Sequence, residues 1–533
     1  MNNIKIDPER ILSDIDRNIF GGYMEIGHLD SKFSFLDVGD PPNADKSNLR
    51  PDMRLALEQM NFPNIRFPGG NFASGYRWMD GIGPRDQRPG RRDLAHDFVL
   101  SNYYGTDEFI RFCRAMNIEP YLCVNCGDGD MREAADWVEY CNGTGDTALV
   151  KLRYKHGFTE PLKVKYWGIG NEVDSPGQIG YKTPQEYARA YTEYSKVMKR
   201  VDPDIKLIAS AVCSWEDFPL GPEFLYRPTE WVERTQQLLE QAGDRIDYLA
   251  IHRYAHPYIN DPYETYMAFA ADWNERLTAY EGLIRAVSLE RGIRHSIGIA
   301  VDEWGLNRIP AGLHRGTPVT ITRDEWGVLR FPENVRNIRR RDSRIINNLE
   351  NALITGLGLN SFIRHAGSVR FANYTSLPTA ICRGLKNPDS PLALQPGFYA
   401  FKLYSGTCGQ LALDVLWSGD TFSGTYKNRT FNGIRTLDVA ATLDKSRQQL
   451  VLYVVNQSKD EAMETNISLT SGEFKGSVQV SAVNGSDIKA KNTEEKPNEV
   501  GIQDTTMKVS GKSFTFIFEP HSITALVCAV GSE

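Results

Sequence analysis

The chain has 533 residues, a formal net charge of −7 and a pI near 5.8, with 41% hydrophobic and 24% charged residues. That balance excludes a basic nucleic-acid surface and suits a neutral or weakly charged ligand. No apolar run approaches the ~18–20 residues of a membrane span, and the N-terminus MNNIKIDPERILSDIDRN carries no apolar secretory core, so the chain reads as cytoplasmic, with a removed signal peptide as the alternative.

Residues 1–17 precede the repeating pattern and hold one short strand, KIDPE, expected to join the C-terminal β-domain. Over residues 18–400 short apolar strands alternate with amphipathic helices. The strand candidates are IFGGYMEIG (19–27), NIRFPGG (64–70), EPYLCVNC (119–126), KYWGIGNE (165–172), KLIASAV (206–212), DYLAIHRY (247–254), IGIAVDEW (297–304) and SFIRHAG (361–367). The best helix start is Thr183-Pro184 with Glu186: a hydroxyl cap, proline at the first helical position, and the acid of a capping box. Tyr187, Ala190, Tyr191 and Tyr194 then mark one face at helical spacing. Eight βα units predict an α/β fold of the (β/α)8 TIM-barrel type. From 401 to 533 period-2 strands such as RTLDVAATLD and QLVLYVVNQ follow one another without helices, predicting an all-β, jelly-roll-like sandwich. No surface aromatic trio marks that sandwich as a sugar-binding module, so structural packing against the barrel is expected.

Smaller signals have bland readings. Cys123 and Cys126 form a CxxC without a second pair, and alternation makes them buried thiols. His252 and His256 stand four apart, but they straddle a strand end and Pro257; no metal and no cofactor are expected. RNIRRRDSR (336–344) reads as a solvated helix start or a subunit contact.

Barrel strands converge at their carboxyl ends, and here those ends are unusually polar. They carry Glu25, then Arg66 and Asn71, Asn171 and Glu172, His252 and Tyr254, and Glu303. Two glutamates on the fourth and seventh strands face each other across the mouth, the requirement of glycoside hydrolysis: one carboxyl protonates the leaving oxygen, the other stabilises or attacks the sugar carbon. Arg66 should favour ionised Glu303, suiting a nucleophile, while Glu172 has no cation nearby in sequence and suits the protonated acid. Asn171 supplies a donor for a sugar hydroxyl. Phe72, Tyr76, Trp78 and Trp304 are candidates for stacking on sugar faces, Trp304 foremost.

RFPGGNFASGYRWMDGIGPRDQRPGRRDLAHDF (66–98), KYWGIGNEVDSPGQIGYKT (165–183), DYLAIHRY (247–254), VDEWG (301–305) and the closing EPHSITALVC (519–528) resemble the α-L-arabinofuranosidases of glycoside hydrolase family 51. The resemblance runs, with gaps, over nearly the whole chain. It implies an exo-acting retaining hydrolase releasing terminal α-L-arabinofuranosyl residues by double displacement, on a barrel with a C-terminal jelly-roll-like sandwich, assembled as a homo-oligomer such as a hexamer. Residue by residue it implies Glu172 as acid/base, Glu303 as nucleophile, Asn171 at the sugar 2-hydroxyl, Arg66 and Tyr254 orienting Glu303, Glu25 and Asn71 on sugar hydroxyls, and His252 on the pocket floor. Gln395 in LALQPGFYAF resembles the glutamine near the terminal hydroxymethyl group. The partner is a carbohydrate, with no nucleic acid and no membrane.

The rim departs from the family pattern. EIGHLDSKFSF (25–35) replaces His-Leu-Gly-Arg and a Tyr-Gly-Gly element, with His28 and Lys32 in related space; Ser175-Pro176-Gly177 replaces Gly-Pro-Trp; His96 and Leu100 stand where Trp and Glu are usual; and 305–337 has no counterpart. Arabinofuranose is therefore the first expectation. The same chemistry on another furanoside, such as a β-D-galactofuranoside, is the alternative, and a catalytically silent sugar-binding barrel is the reading from another class.

Overall fold

A computed structural model describes residues 2–25, 51–95, 98–175, 178–212, 231–255, 261–306, 322–323, 329–330, 347–375, 381–383, 392–426, 429–493 and 495–531. Outside these lie His28, Lys32, His96, Pro176, Gly177, His256, Pro257, the arginine-rich 336–344 and most of 305–337.

The chain opens with β1 (Asn2–Asp14), which belongs to the C-terminal sheet. Eight parallel strands then close into a barrel in chain order. They are β2 (Gly21–Tyr23), β3 (Asn64–Phe67), β4 (Glu119–Val124), β5 (Tyr166–Ile169), β6 (Lys206–Val212), β7 (Tyr248–Ala255), β8 (Gly298–Leu306) and β9 (Val369–Tyr374). Pairing of Asn373 with Gly21 and Tyr374 with Gly22 closes the ring. Inward and outward residues alternate as a barrel requires. On β4, Tyr121 and Cys123 face the lumen, whereas Leu122 and Val124 join the large core between strands and helices. Tyr166, Tyr248 and Phe371 plug the base of the lumen, with ring centroids 4.7–5.0 Å apart at the two Phe371 contacts.

The helix after β5 spans Pro184–Val201 and begins with the expected box: Glu186 accepts from the Thr183 amide, and Thr183 Oγ1 accepts from the Glu186 amide. The last barrel strand is displaced from its expected place. Residues 361–367 are the end of helix Leu349–Arg364 and the turn after it, and the strand is Val369–Tyr374. Asn348 caps this helix, which is buried on nearly every face between barrel and C-terminal sheet, so it lacks the polar stripe that marks a surface helix.

The chain leaves the barrel through helix Pro396–Thr407, whose Phe401 packs on Phe20 and Phe62. The C-terminal strands are β10 (Leu411–Ser418), β11 (Leu437–Leu443), β12 (Gln449–Asn456), β13 (Met463–Leu469), β14 (Glu473–Asn484), β15 (Gly501–Lys508), β16 (Ser513–Phe518) and β17 (Ile523–Gly531). With β1 they form one nine-stranded sheet, in the order β15-β14-β17-β12-β11-β10-β1-β13-β16. β1 is antiparallel to β10 and parallel to β13. The sheet curls round a second core of Ile4, Leu452, Ile467, Val480 and Leu526, and a bridge between Phe474 and Gly511 joins its two ends. The expected sandwich is thus one continuous sheet folded on itself.

This sheet buttresses the barrel. Asn360 and Arg364, on the buried helix, both donate to Asp438 Oδ1 at 2.8 Å, and a Cβ on Gly356 would meet Val455 at 3.0 Å. The close fit holds the helix that backs β8 and β9, and with them the barrel mouth.

Candidate active site

Two local breaks in strand geometry place consecutive polar residues at the mouth. β5 ends at Ile169; Gly170 takes φ +80° and Glu172 takes φ +42°. A side chain in that left-handed region costs on the order of 1–3 kcal/mol, strain that persists only where surrounding structure imposes it. The turn directs Asn171 toward Arg66 and Glu172 toward His252. On β8 the break is a bulge. Ala300 pairs with Ala250 and Glu303 with His252, so three steps on β8 oppose two on β7, and the same offset recurs against β9 between Val301 and Trp304. One extra residue resets the alternation. Asp302 and Glu303 therefore both enter the lumen.

Arg66, at the end of β3, ties these elements together. Its Nη1 donates to Glu303 Oε1 at 2.6 Å, its Nη2 to Asn171 Oδ1 at 2.7 Å, and its Nε lies 3.3 Å from Asp302 Oδ2. Tyr254 donates to the other oxygen of Glu303 at 2.8 Å. His252 Nδ1 stands 2.9 Å from Glu172 Oε1 and 3.5 Å from Glu303 Oε2, while its Nε2 is 3.3 Å from Asp302 Oδ1. Tyr121 donates to Asp302 Oδ2 at 2.8 Å. Asn71, opening the turn after β3, accepts from Asn171 at 3.4 Å. Glu25 is buried beside Gly69, whose Cβ would stand 2.5 Å from Glu25 Cγ, and a Cβ on Gly70 would lie 2.8 Å from Glu303 Oε1. Glycine at both positions keeps the space around the carboxylates open.

The electrostatics follow from these contacts. Burial pulls His252 down, but Glu303, Asp302 and Glu172 more than compensate and hold it well above the ordinary histidine range, as an imidazolium. Burial pushes Asp302 up, yet Arg66, His252 and Tyr121 outweigh it and keep this carboxyl below its usual value. Glu303 goes the other way: burial, aided by the Glu172 carboxylate, raises it against the pull of His252, Arg66 and Tyr254. Two cations, Arg66 and His252, thus face three carboxyls, Glu172, Asp302 and Glu303. With one carboxyl protonated the cluster is neutral. One proton donor and one carboxylate, side by side, is the resting state acid-assisted displacement needs.

Glu172, His252 and Glu303 bring one donor atom each within 4.8 Å of one another. A metal could span such a gap, but the chain's own Arg66 and His252 already neutralise these carboxylates, and the trio serves as an ion-pair cluster.

The structure brings together Arg66, Asn71, Asn171, Glu172, His252, Tyr254 and Glu303, with Glu25 alongside. It corrects the placement of others. Trp304 does not reach the mouth: the bulge turns it outward, where it is 1% exposed and packs on Phe362 and Tyr374 at centroid distances of 5.0 and 4.9 Å. Phe72, Tyr76 and Trp78 are likewise core: Phe72 packs on Tyr76, Tyr76 meets Trp137 edge-on, and Trp78 stacks on Trp137. Gln395 is not in the cluster either. Standing just before helix Pro396–Thr407, it donates to the carbonyls of Asn492 and Ala393 at 3.0 and 3.4 Å, which ties the helix start to a loop of the C-terminal sheet. Glu172, expected without a cation, has His252 against it. Asp302, Tyr121 and Tyr23, whose ring centroid lies 5.6 Å from the Arg66 guanidinium, were not singled out by the sequence. Asp302 stands beside Glu303, but ordinary alternation sends one of two neighbours outward.

Comparison with known proteins gives a consistent picture. The model of the alpha-L-arabinofuranosidase 1 domain matches residues 56–270, and that of the alpha-L-arabinofuranosidase C-terminal domain matches 324–522. Alpha-L-arabinofuranosidase C of Emericella nidulans is 32% identical over 535 residues, covering 98% of this chain and 96% of the relative. The intracellular exo-alpha-(1->5)-L-arabinofuranosidase 1 of Bacillus subtilis is 30% identical, covering 97% of each. Among solved structures, the alpha-L-arabinofuranosidase of Thermotoga maritima in its arabinose complex aligns with TM-score 0.81 at 31% identity, covering 100% of both chains. The family 51 enzyme of Thermotoga petrophila aligns with TM-score 0.82 at 31% identity, covering 99% of this chain and 100% of that one.

Proposed function

Since this chain belongs to the α-L-arabinofuranosidases of glycoside hydrolase family 51, we propose that it is an exo-acting hydrolase that removes terminal α-L-arabinofuranosyl residues with retention of configuration. The observation that carries this reading is the approach of Glu172 and Glu303, whose nearest carboxylate oxygens lie within 4.8 Å. Retaining enzymes hold the two carboxyls about 5–5.5 Å apart, against roughly 6.5–9.5 Å where a water must fit between carboxylate and sugar.

In the first step Glu303 attacks the anomeric carbon as Glu172 gives its proton to the departing oxygen. In the second, water attacks that carbon, Glu172 takes the water's proton, and Glu303 leaves as a carboxylate. Arg66 and Tyr254 each hold one Glu303 oxygen, fixing the carboxylate plane and supporting its charge. Asn171, held by Arg66 and Asn71, is proposed to meet the sugar hydroxyl next to the reacting carbon, with Glu25 and Asn71 on further hydroxyls.

Release of arabinose from p-nitrophenyl α-L-arabinofuranoside, with the first-formed anomer read by proton NMR, tests the proposal. Absence of turnover, or first appearance of the inverted anomer, overturns it. Glu172→Ala should slow poor leaving groups far more than p-nitrophenol, with azide restoring turnover as an arabinosyl azide. We also infer a homo-oligomer, hexameric by family resemblance, acting inside the cell as the named Bacillus subtilis relative does. No helix of the described residues is long and apolar enough to cross a membrane.

A further inference from the structure

The proposed reaction moves one negative charge from Glu303 to Glu172 and back. That mechanism starts with the charge on Glu303 and the transferable proton on Glu172. Once Glu303 has formed its ester with the sugar and Glu172 has lost its proton to the leaving group, the charge sits on Glu172. His252 Nδ1 stands between the two, 2.9 Å from Glu172 Oε1 and 3.5 Å from Glu303 Oε2. Its other nitrogen is 3.3 Å from Asp302 Oδ1, and the β8 bulge lets Asp302 and Glu303 share the lumen. The charged and titratable groups around this ring are Glu172 from the turn after β5, Asp302 and Glu303 from β8, Arg66 from β3, Tyr121 from β4 and Tyr254 from β7.

We propose that Asp302 is a positioning residue that keeps His252 doubly protonated, so that one fixed N–H cation serves Glu303 in the resting enzyme and Glu172 in the glycosyl-enzyme. The inference rests on the retaining reading above. His252 gains and loses no proton in the cycle; the mobile proton passes from Glu172 to the leaving oxygen and returns from water. Asp302 suits the part. It is 2% exposed, and Tyr121 and Arg66 hold one oxygen while the other faces the imidazole. A carboxylate behind a histidine fixes both the ring's orientation and its charge, as in other acid–base assemblies.

The test combines nitrogen-15 NMR of His252, assigned by its loss in His252→Gln, with pH–rate profiles of wild type and Asp302→Asn on p-nitrophenyl α-L-arabinofuranoside. Wild-type His252 should remain an imidazolium across about pH 5–8, where an ordinary histidine titrates. In Asp302→Asn it should titrate within that window. Removing the anion lowers the ring's pKa, so activity should fall as pH rises: about tenfold or more at the upper end in both kcat and kcat/KM, shrinking toward the lower end. A neutral His252 in wild type overturns the proposal, as does a loss equal at every pH, which a purely structural Asp302 would give. Should Asp302→Asn fail to fold, the wild-type spectrum alone decides. Failure of the arabinofuranosidase reading is distinct: wild type would then turn over no arabinofuranoside, whatever the charge on His252.

Discussion

Arg66 and Glu303 meet at 2.6 Å across the barrel lumen, from β3 and β8, strands that are not neighbours in the barrel. Both side chains are buried, and Arg66 divides its charge between Glu303 and Asp302. The planar guanidinium serves Glu303, Asn171 and Asp302 at once through three nitrogens. A lysine ammonium is one point charge and cannot reach all three. Arg66→Lys should therefore lower kcat/KM by about 10²–10³-fold, with kcat falling in step. Steady-state kinetics on the aryl arabinofuranoside read this directly, and a near-wild-type lysine variant would refute the assignment.

Tyr254 supplies the second hold on Glu303, a single O–H to Oε2 at 2.8 Å. Its bond favours the ionised carboxylate, so without it Glu303, already raised by burial, rises further. Tyr254→Phe should lose roughly 10–100-fold in kcat, the worth of one hydrogen bond to a charged group. Because the nucleophile must be ionised, the acidic limb of the pH–rate profile should move to higher pH. An acidic limb that stays put or moves down would show that Tyr254 does not act through Glu303.

The raised Glu303 is also a statement about stability. A carboxyl that holds its proton more tightly folded than unfolded makes the fold lose stability as pH rises through the ordinary carboxyl range to its folded pKa. Asp302 has the opposite sign: its depressed pKa contributes stability above the ordinary carboxyl range that is lost as pH falls. Glu303→Gln, which removes the cost of burying that charge, should be inactive yet melt higher than wild type at neutral pH. That gain should shrink below about pH 4, where wild-type Glu303 is protonated in both states. Melting temperatures measured across pH would contradict this if the variant were less stable at pH 7.

Much of this site was legible because barrel strands end where chemistry begins: RFPGG, GNE, HRY and DEW each deliver their polar residue at a strand's carboxyl end. What stayed hidden was whatever breaks a period. The β8 bulge makes Asp302 and Glu303 both face inward, and no pattern of apolar and polar letters announces an extra residue in one strand. The left-handed turn at Glu172 is equally silent, since the residue there is not glycine. The eighth strand was misplaced for a different reason. A helix buried on nearly all sides reads as an apolar run, and Ser361-Phe362-Ile363 within it looks as much like strand as helix. Curling of nine strands into one sheet was beyond reach for want of any local signal that tells one folded sheet from two.

Trp304 is where the bulge has its sharpest consequence. Adjacent to Glu303, it looks like a platform for the sugar, and unbroken alternation would send it inward with Asp302 and turn Glu303 out. The extra residue reverses that. Its indole lies between β8 and helix Leu349–Arg364, edge-on to Phe362, against Tyr374, with Gly358 so close that an added Cβ would stand 3.0 Å from the ring. Such a side chain contributes packing, and removing it leaves a cavity that the rigid helix and strand cannot close. Trp304→Ala should cost about 3–5 kcal/mol of stability. At temperatures where the variant stays folded, KM should remain within about twofold of wild type, because no sugar contact has gone. Trp304→Phe should recover much of the lost stability. A sugar-stacking residue would give the reverse: a large rise in KM with little change in melting temperature. Thermal melts and KM measured on the same two variants separate the cases.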